Sequence, residues 1–275
     1  MDGMYNDMVN SILGLEDHLI GVIKFVAVLP FSNFSGGGLD AVATVVANVS
    51  TSLQSTAITL LIFCFFYEFL KKTVMFEFVN WENVVKILLR FLIAKLVVQN
   101  CYAILEAIGI VINGVLAILG NPQNLSTILD DSALSALTLE YMGAGIINKV
   151  FLFLKMGLCW LAMFVIRVAI LFVVYGRFIE IAIYATIAPI PLATLGGEST
   201  SGVAKKFIQS YVGVLLQGVI IVAMCLIYVG VSAAFASGKL GLGSMGDIVQ
   251  YLICSGVLLF TVAKSGNWAK QIMGA

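Results

Sequence analysis

With 275 residues, of which 61% are hydrophobic and only 11% charged, and a mean hydropathy of +1.06, the chain cannot enclose its apolar surface in one water-soluble core. Its formal net charge is zero, so no global basic field draws it to nucleic acid, and the sign of each loop says more than the total. The composition predicts an all-α, polytopic membrane helical bundle.

Taken in chain order, Met1-Asp2-Gly3 lacks a basic n-region, which argues for direct insertion and against a cleaved signal peptide. Residues 4 to 29 carry apolar side chains at helical spacing (Met8, Ile12, Leu15, Leu19, Val22, Phe25), interrupted by Asp7, Glu16, Asp17 and His18. That pattern suits a helix lying in the interface or packed on the bundle better than a span. Pro30 is expected to end it, Ser35-Gly36-Gly37-Gly38 to break the chain, and Asp40 to cap the next helix. Residues 1–40 are therefore an N-terminal amphipathic helix and linker, and 41–275 the polytopic domain.

The first predicted span runs from about Asn48 to Leu70 and is closed by Glu68, Lys71 and Lys72. The loop to Lys86 also holds Glu77, Trp81 and Glu82, with Arg90 just beyond. Phe78 and Trp81 read as interfacial anchors, and the lysines place this side in the cytoplasm. The second span, Ile87 to Leu119, is longer than a bilayer needs. Its polar residues Lys95, Gln99, Tyr102, Glu106 and Asn113 share one helical face. Lys95 and Glu106 lie about 16 Å apart along the axis, too far to pair. The face either packs on a neighbouring helix or walls a pore.

Gly120-Asn121-Pro122 opens a loop to about residue 147 that holds Asp130, Asp131 and Glu140 but no arginine or lysine before Lys149, which predicts an external position. Asp130 or Asp131 can cap a short helix bearing Leu134, Leu137 and Tyr141, resting on the membrane or meeting a partner. The third span, Asn148 to Tyr175, contains Arg167, whose burial in hydrocarbon would cost about 2.5 to 3.5 kcal/mol, so it must face protein, water or a snorkelling route. Arg177 and Glu180 follow at a spacing that allows pairing across one turn. Ala188-Pro189-Ile190-Pro191 then stops an α-helix, because each proline lacks an N–H and disfavours α geometry before it.

A full crossing by residues 178–195 would put Lys205-Lys206 outside, whereas a re-entrant hairpin keeps them in the cytoplasm. The plan is thus five transmembrane helices plus a proline-broken re-entrant segment, with six crossings as the alternative. Phe207 to Ala236 crosses outward with Gln209, Ser210, Gly213, Gln217 and Gly218 permitting close helix approach. The loop Lys239 to Asp247 is external, and Ile248 to Ala263 returns the chain to Lys264, Trp268 and Lys270 inside. The N-terminus is outside and the C-terminus inside, with Lys149 and Lys155 against the rule.

No catalytic constellation stands out, and no cofactor is expected. Gly197-Glu198-Ser199-Thr200-Ser201 has a serine where a GxSxG turn needs its final glycine. His18 is the only histidine, and Cys64, Cys101, Cys159, Cys225 and Cys254 are scattered singly, without a CxxC pair, as reduced packing residues. An ion-coupled transporter would call for intramembrane carboxylates, for which Glu106 and Glu180 are the immersed candidates. An oligomeric channel subunit asks for less.

The stretch GRFIEIAIYATIAPIPLATLGGESTSGVAKKFIQSYVGVLLQGVII resembles the central segment of the polytopic inner-membrane subunit of type IV secretion and conjugation machines, the family of the TrbL proteins and the sixth VirB protein. The shared features are the arginine-started apolar helix, the double-proline break, the polar loop with Lys205-Lys206 and the Gln217-containing helix. The N-out, five-span plan is similar too, especially to forms from Gram-positive conjugative elements. The resemblance implies a non-enzymatic channel and scaffold component of the cytoplasmic membrane. It would help move single-stranded DNA or protein outward from partner ATPases, beside other secretion-system membrane subunits. It also implies a homo-oligomeric ring, a pentamer in the better understood relatives. By position, Arg167, Arg177, Glu180, Pro189 and Pro191 are its candidate translocation or assembly core. Partner contacts carried by the large soluble extensions of some relatives are not expected of these 275 residues.

Overall fold

The computed structural model describes residues 2–13, 15–28, 40–74, 81–119, 145–236 and 244–274, and no strand occurs among them. The helices are α1 (Asp2–Leu13), α2 (Leu15–Val28), α3 (Asp40–Val74), α4 (Trp81–Gln99), α5 (Cys101–Leu119), α6 (Ile146–Ile187), the short α7 (Pro189–Ala193) with a 3-10 turn at Thr194–Gly196, α8 (Ser201–Ala236) and α9 (Ser244–Met273). The expected breaks at Pro30 and Ser35–Gly38, the anchor Phe78, the acidic helix near Asp130 and the start of the loop after Lys239 lie outside the described residues.

Five helices are long and apolar enough to cross a membrane: Ala41–Val74, Cys101–Leu119, Ile147–Ile187, Ser201–Tyr228 and Leu252–Met273. The chain is an all-α, multi-pass membrane protein. Phe63, Phe66, Leu154 and Phe172 are 56 to 74% exposed, as apolar side chains facing lipid would be. Helix α8 is the most enclosed, with 50% of its apolar window buried against 17% for α5.

Three expectations need correction. The second predicted span is not one uniformly apolar helix. A one-residue turn at Asn100 separates α4 from α5, and α4 is not among the five apolar helices, because Glu82, Lys86, Arg90 and Lys95 interrupt it. Hydrogen bonds from Asn100 N–H to Leu96 O and from Ile104 N–H to Asn100 O, both 3.0 Å, carry the ladder through the division. The helix of the third span does not end at Tyr175: α6 continues through Arg177 and Glu180 to Ile187. The prolines, finally, do not abolish helix but restart it. Pro189 is the first residue of α7, where its missing N–H would have no partner in any case. Ala188 takes αR geometry (φ −49°, ψ −39°) despite preceding proline, and its carbonyl accepts from Leu192 N–H at 3.2 Å.

The chain forms two compact units. The first comprises residues 1–27, 116–176 and 218–266. Here Leu19, Val22, Ile23 and Val26 of α2 are at most 2% exposed. Trp160 Nε1 of α6 donates to Ser11 Oγ of α1 at 3.1 Å, and the Phe25 and Tyr175 rings meet edge to face at 4.9 Å. The N-terminal helices are therefore packed on the bundle. Between α8 and α9, Tyr228 Oη and Ser255 Oγ hydrogen-bond at 3.0 Å.

The second unit comprises residues 28–115, 177–217 and 267–275. Its core joins Ala57 and Leu61 of α3, Ala94 and Val98 of α4, Leu105 of α5, Ile181 and Ala185 of α6, Leu192 of α7, and Tyr211 and Val214 of α8. Small residues on α6 and α7 let the proline-started helix pack closely against α3 and α4.

Candidate functional site

The polar groups of the second unit gather around the chain reversal between α6 and α8. Arg177 is 2% exposed; its Nε donates to Val214 O at 3.0 Å and its Nη2 to Leu215 O at 3.2 Å. These carbonyls lie within α8 and have a second lone pair to offer beyond the helix ladder. Nη1 is buried and has no hydrogen-bond partner among the described residues. The expected pairing with Glu180 does not form. Glu180 is instead bonded to Lys270 of α9 at 3.4 Å, an ion pair with both side chains part exposed. Gly213 faces this part of α9, where a Cβ would be in ordinary contact with Ala269 O and Lys270 Cα, each at 3.7 Å. Tyr211, fully buried, donates to Leu105 O at 3.1 Å and so ties α8 to α5.

The reversal itself is built by glycine and hydroxyl groups. A Cβ on Gly196 would lie 2.5 Å from Leu61 Cδ1 and 3.3 Å from Leu61 O, so a larger residue would have to displace Leu61 for the turn to lie on α3. Thr200 Oγ1 donates to Thr194 O at 2.8 Å. Glu68 of α3, 3% exposed, accepts from Ser199 Oγ at 3.0 Å and Ser199 N–H at 3.5 Å. Just outside, one carboxylate oxygen of Glu198 meets Lys72 Nζ of α3 at 3.1 Å and Arg90 Nη1 of α4 at 3.3 Å. Hydrogen bonding and charge from Lys72, then Arg90, hold the Glu198 carboxyl below its ordinary pKa.

Of the residues singled out from the sequence, Arg177, Glu180, Pro189 and Pro191 fall in this unit, whereas Arg167 belongs to the first. There its Nη2 donates to Ser11 O of α1, so it faces protein. His18 lies within range of that charge, and burial first, then Arg167, lower its pKa. The polar face predicted on one helix is split by Asn100: Lys95 and Gln99 are exposed on α4, while Tyr102, Glu106 and Asn113 are half-buried on α5. The Gln99 carbonyl accepts from Gln54 Nε2 at 3.2 Å, and Asn113 Oδ1 is buried with no hydrogen-bond partner among the described residues.

Glu68, Tyr211, Gly196 and the Glu198 cluster carry little signal in the sequence. Glu68 precedes Lys71-Lys72 and reads as a boundary residue, and only the hydroxyl-rich loop at Ser199 hints that it has an internal partner. Among the described residues no cluster of His, Cys, Asp or Glu could hold a metal ion. All five cysteines are free thiols.

A family described as TrbL/VirB6 plasmid conjugal transfer like protein matches residues 32–189, more than half of the chain. The chain belongs to this family. It is a membrane component of the conjugal transfer type. The match takes in α3 to the first proline of the break, and of the 45-odd residues that carry the sequence resemblance it includes only 176–189. No curated protein and no solved structure matches the chain.

Proposed function

We infer that the protein is a non-enzymatic channel and scaffold subunit of a type IV secretion machine, helping to pass single-stranded DNA or protein across the cytoplasmic membrane. The family match across residues 32–189 carries this reading. In it, several copies form a ring beside other membrane subunits and the energising ATPases. The N-terminus is outside, the C-terminus inside, and residues 1–40 precede the polytopic domain as an N-terminal amphipathic helix and linker.

Within the ring the two sets of polar residues have different tasks. The Arg177 fork is spent on α8 carbonyls, so with Glu180, Pro189 and Pro191 it belongs to the core that fixes the α6–α8 reversal and supports assembly. Arg167 performs the same service for the N-terminal helices. Lys95 and Gln99 point away from the subunit's own core, among exposed Leu92, Ile93 and Leu96. In this reading α4 lies beside α5 at membrane depth, where a polar group in such company is met by a neighbouring subunit or a wet lumen. We assign the Lys95 to Asn113 face to that role.

Deleting the gene from its element and complementing in trans tests the reading. Transfer is expected to collapse and to return with the wild-type protein; transfer that persists without the protein would refute it. Arg177→Gln should lose transfer together with assembly, whereas Lys95→Gln should reduce transfer with assembly intact.

A further inference from the structure

The triangle of Lys72, Arg90 and Glu198 has a form that a plain surface ion pair lacks. Two cations from different helices converge on one carboxylate oxygen supplied by the loop after the proline break. The cations differ in access: the Lys72 side chain is 19% exposed, Arg90 42% and Glu198 57%, so the anion is the outermost member. The loop does not depend on it. Ser199 is held by Glu68, and Thr200 by the carbonyls of Thr194 and Gly197. Glu198 can therefore leave its partners while the turn keeps its shape.

The position also says what else would reach the cations. Lys72 lies in the last turn of a membrane-crossing helix, whose end exposes Phe69, Leu70 and Val74, and Trp81 at the start of α4 is 78% exposed. An apolar helix end followed by an exposed tryptophan marks headgroup depth. At that depth the most abundant anion is a lipid phosphate, and guanidinium and ammonium groups bind phosphate oxygens as they bind carboxylate.

We propose that Lys72 and Arg90 form a binding site for the phosphate of an anionic phospholipid, and that Glu198 is its built-in competitor, filling the site when lipid is absent. Exchange of Glu198 for lipid phosphate frees the loop tip from α3 and α4 without undoing the Ser199 and Thr200 bonds. The site rests on the membrane location alone and does not require the secretion reading.

Native mass spectrometry of the full-length protein, released from detergent with added phosphatidylglycerol or phosphatidylcholine, tests this. Wild type should retain phosphatidylglycerol preferentially. Glu198→Gln should raise that retention about 3- to 10-fold, equivalent to removing a competitor of roughly 1 kcal/mol, and Lys72→Gln with Arg90→Gln should abolish the preference. Inorganic phosphate at the same concentration should displace none of the lipid. Full displacement by inorganic phosphate would reassign the site to a free anion, displacement by a short oligonucleotide would reassign it to nucleic acid, and either overturns the proposal. So would equal retention in wild type and Glu198→Gln. Should Glu198→Gln purify poorly, Arg90→Gln alone reads the same site, with retention expected to fall.

Discussion

Arg167 and Arg177 stand in the same apolar helix, and each is held by backbone carbonyl groups, yet they meet very different surroundings. Arg177 is almost fully enclosed and uses two of its nitrogens on α8, while Arg167 is half-buried and reaches a carbonyl of the short α1. Arg177 recruits no carboxylate among the described residues, although Glu180 lies one turn away. A helix carbonyl can accept a second bond without the desolvation cost of a buried anion, so a cation–carbonyl tie puts one charge rather than two into a low-dielectric setting. The difference between the arginines is thus one of enclosure, and enclosure decides how much each is worth.

The largest effect is expected at Arg177. Arg177→Ala removes two charge-assisted hydrogen bonds and leaves a cavity, and should destabilise the protein by about 2 to 4 kcal/mol in reversible detergent unfolding. Arg177→Met restores volume without charge and sharpens the comparison: if it recovers more than half of the loss, packing dominates, and if it recovers none, the carbonyl fork does. Arg177→Lys should resemble alanine more than arginine, because a single ammonium cannot reproduce the planar fork. Arg167→Ala comes next. With its carbonyl tie to α1 and partial exposure, it should cost about 1 to 2 kcal/mol. Equal losses at both sites would mean that enclosure is not the governing variable.

This contrast is only half visible in the sequence. Apolar runs of sufficient length announce α3, α6, α8 and α9, since lipid demands continuous helix. The proline break is visible for the same reason, but its form is not: whether Pro189 ends a helix or starts one depends on whether the next turn finds something to pack against, and here α3 and α4 supply it. The division at Asn100 has no marker, because Asn100 neither lacks an N–H nor interrupts the helical spacing around it. Gly196 is legible as a loop residue but not as a contact, since its close neighbour is Leu61, more than a hundred positions away. Side-chain partners are the least legible. Proximity in sequence favours Glu180 for Arg177, while the fold brings Val214 and Leu215 to the arginine and Lys270 to the acid.

A pH effect separates the first unit from the second. His18 has its pKa lowered by burial and by Arg167, so the unfolded chain takes up a proton before the folded one does. Its contribution is fully present above the ordinary histidine value of about 6.5 and is lost as pH falls through the folded value. Stability, read from unfolding followed by Trp160 fluorescence in a variant with its other tryptophans replaced, should fall from pH 7 towards 5. His18→Gln should flatten that slope. Arg167→Gln should shrink it without removing it, because burial is the larger cause. Glu198 behaves differently: with its pKa depressed, its ion pairs persist above the ordinary carboxylate value and are lost only as pH falls through the folded value, so they contribute no slope between pH 7 and 5.

The smallest effect is expected at Glu180, and it tests the comparison most directly. As the partner of Lys270 in a part-exposed pair at 3.4 Å, Glu180 should be worth under about 1 kcal/mol, so Glu180→Gln and Lys270→Gln should cost similar small amounts and little more together. If Glu180 were instead the real counter-ion of Arg177, its removal would strand a buried cation and cost about 3 to 5 kcal/mol, far more than Lys270→Gln. A double-mutant cycle between Glu180→Gln and Arg177→Met decides the matter: a coupling near zero keeps the carbonyl tie as the sole support of Arg177, and a coupling above about 1 kcal/mol replaces it with an ion pair.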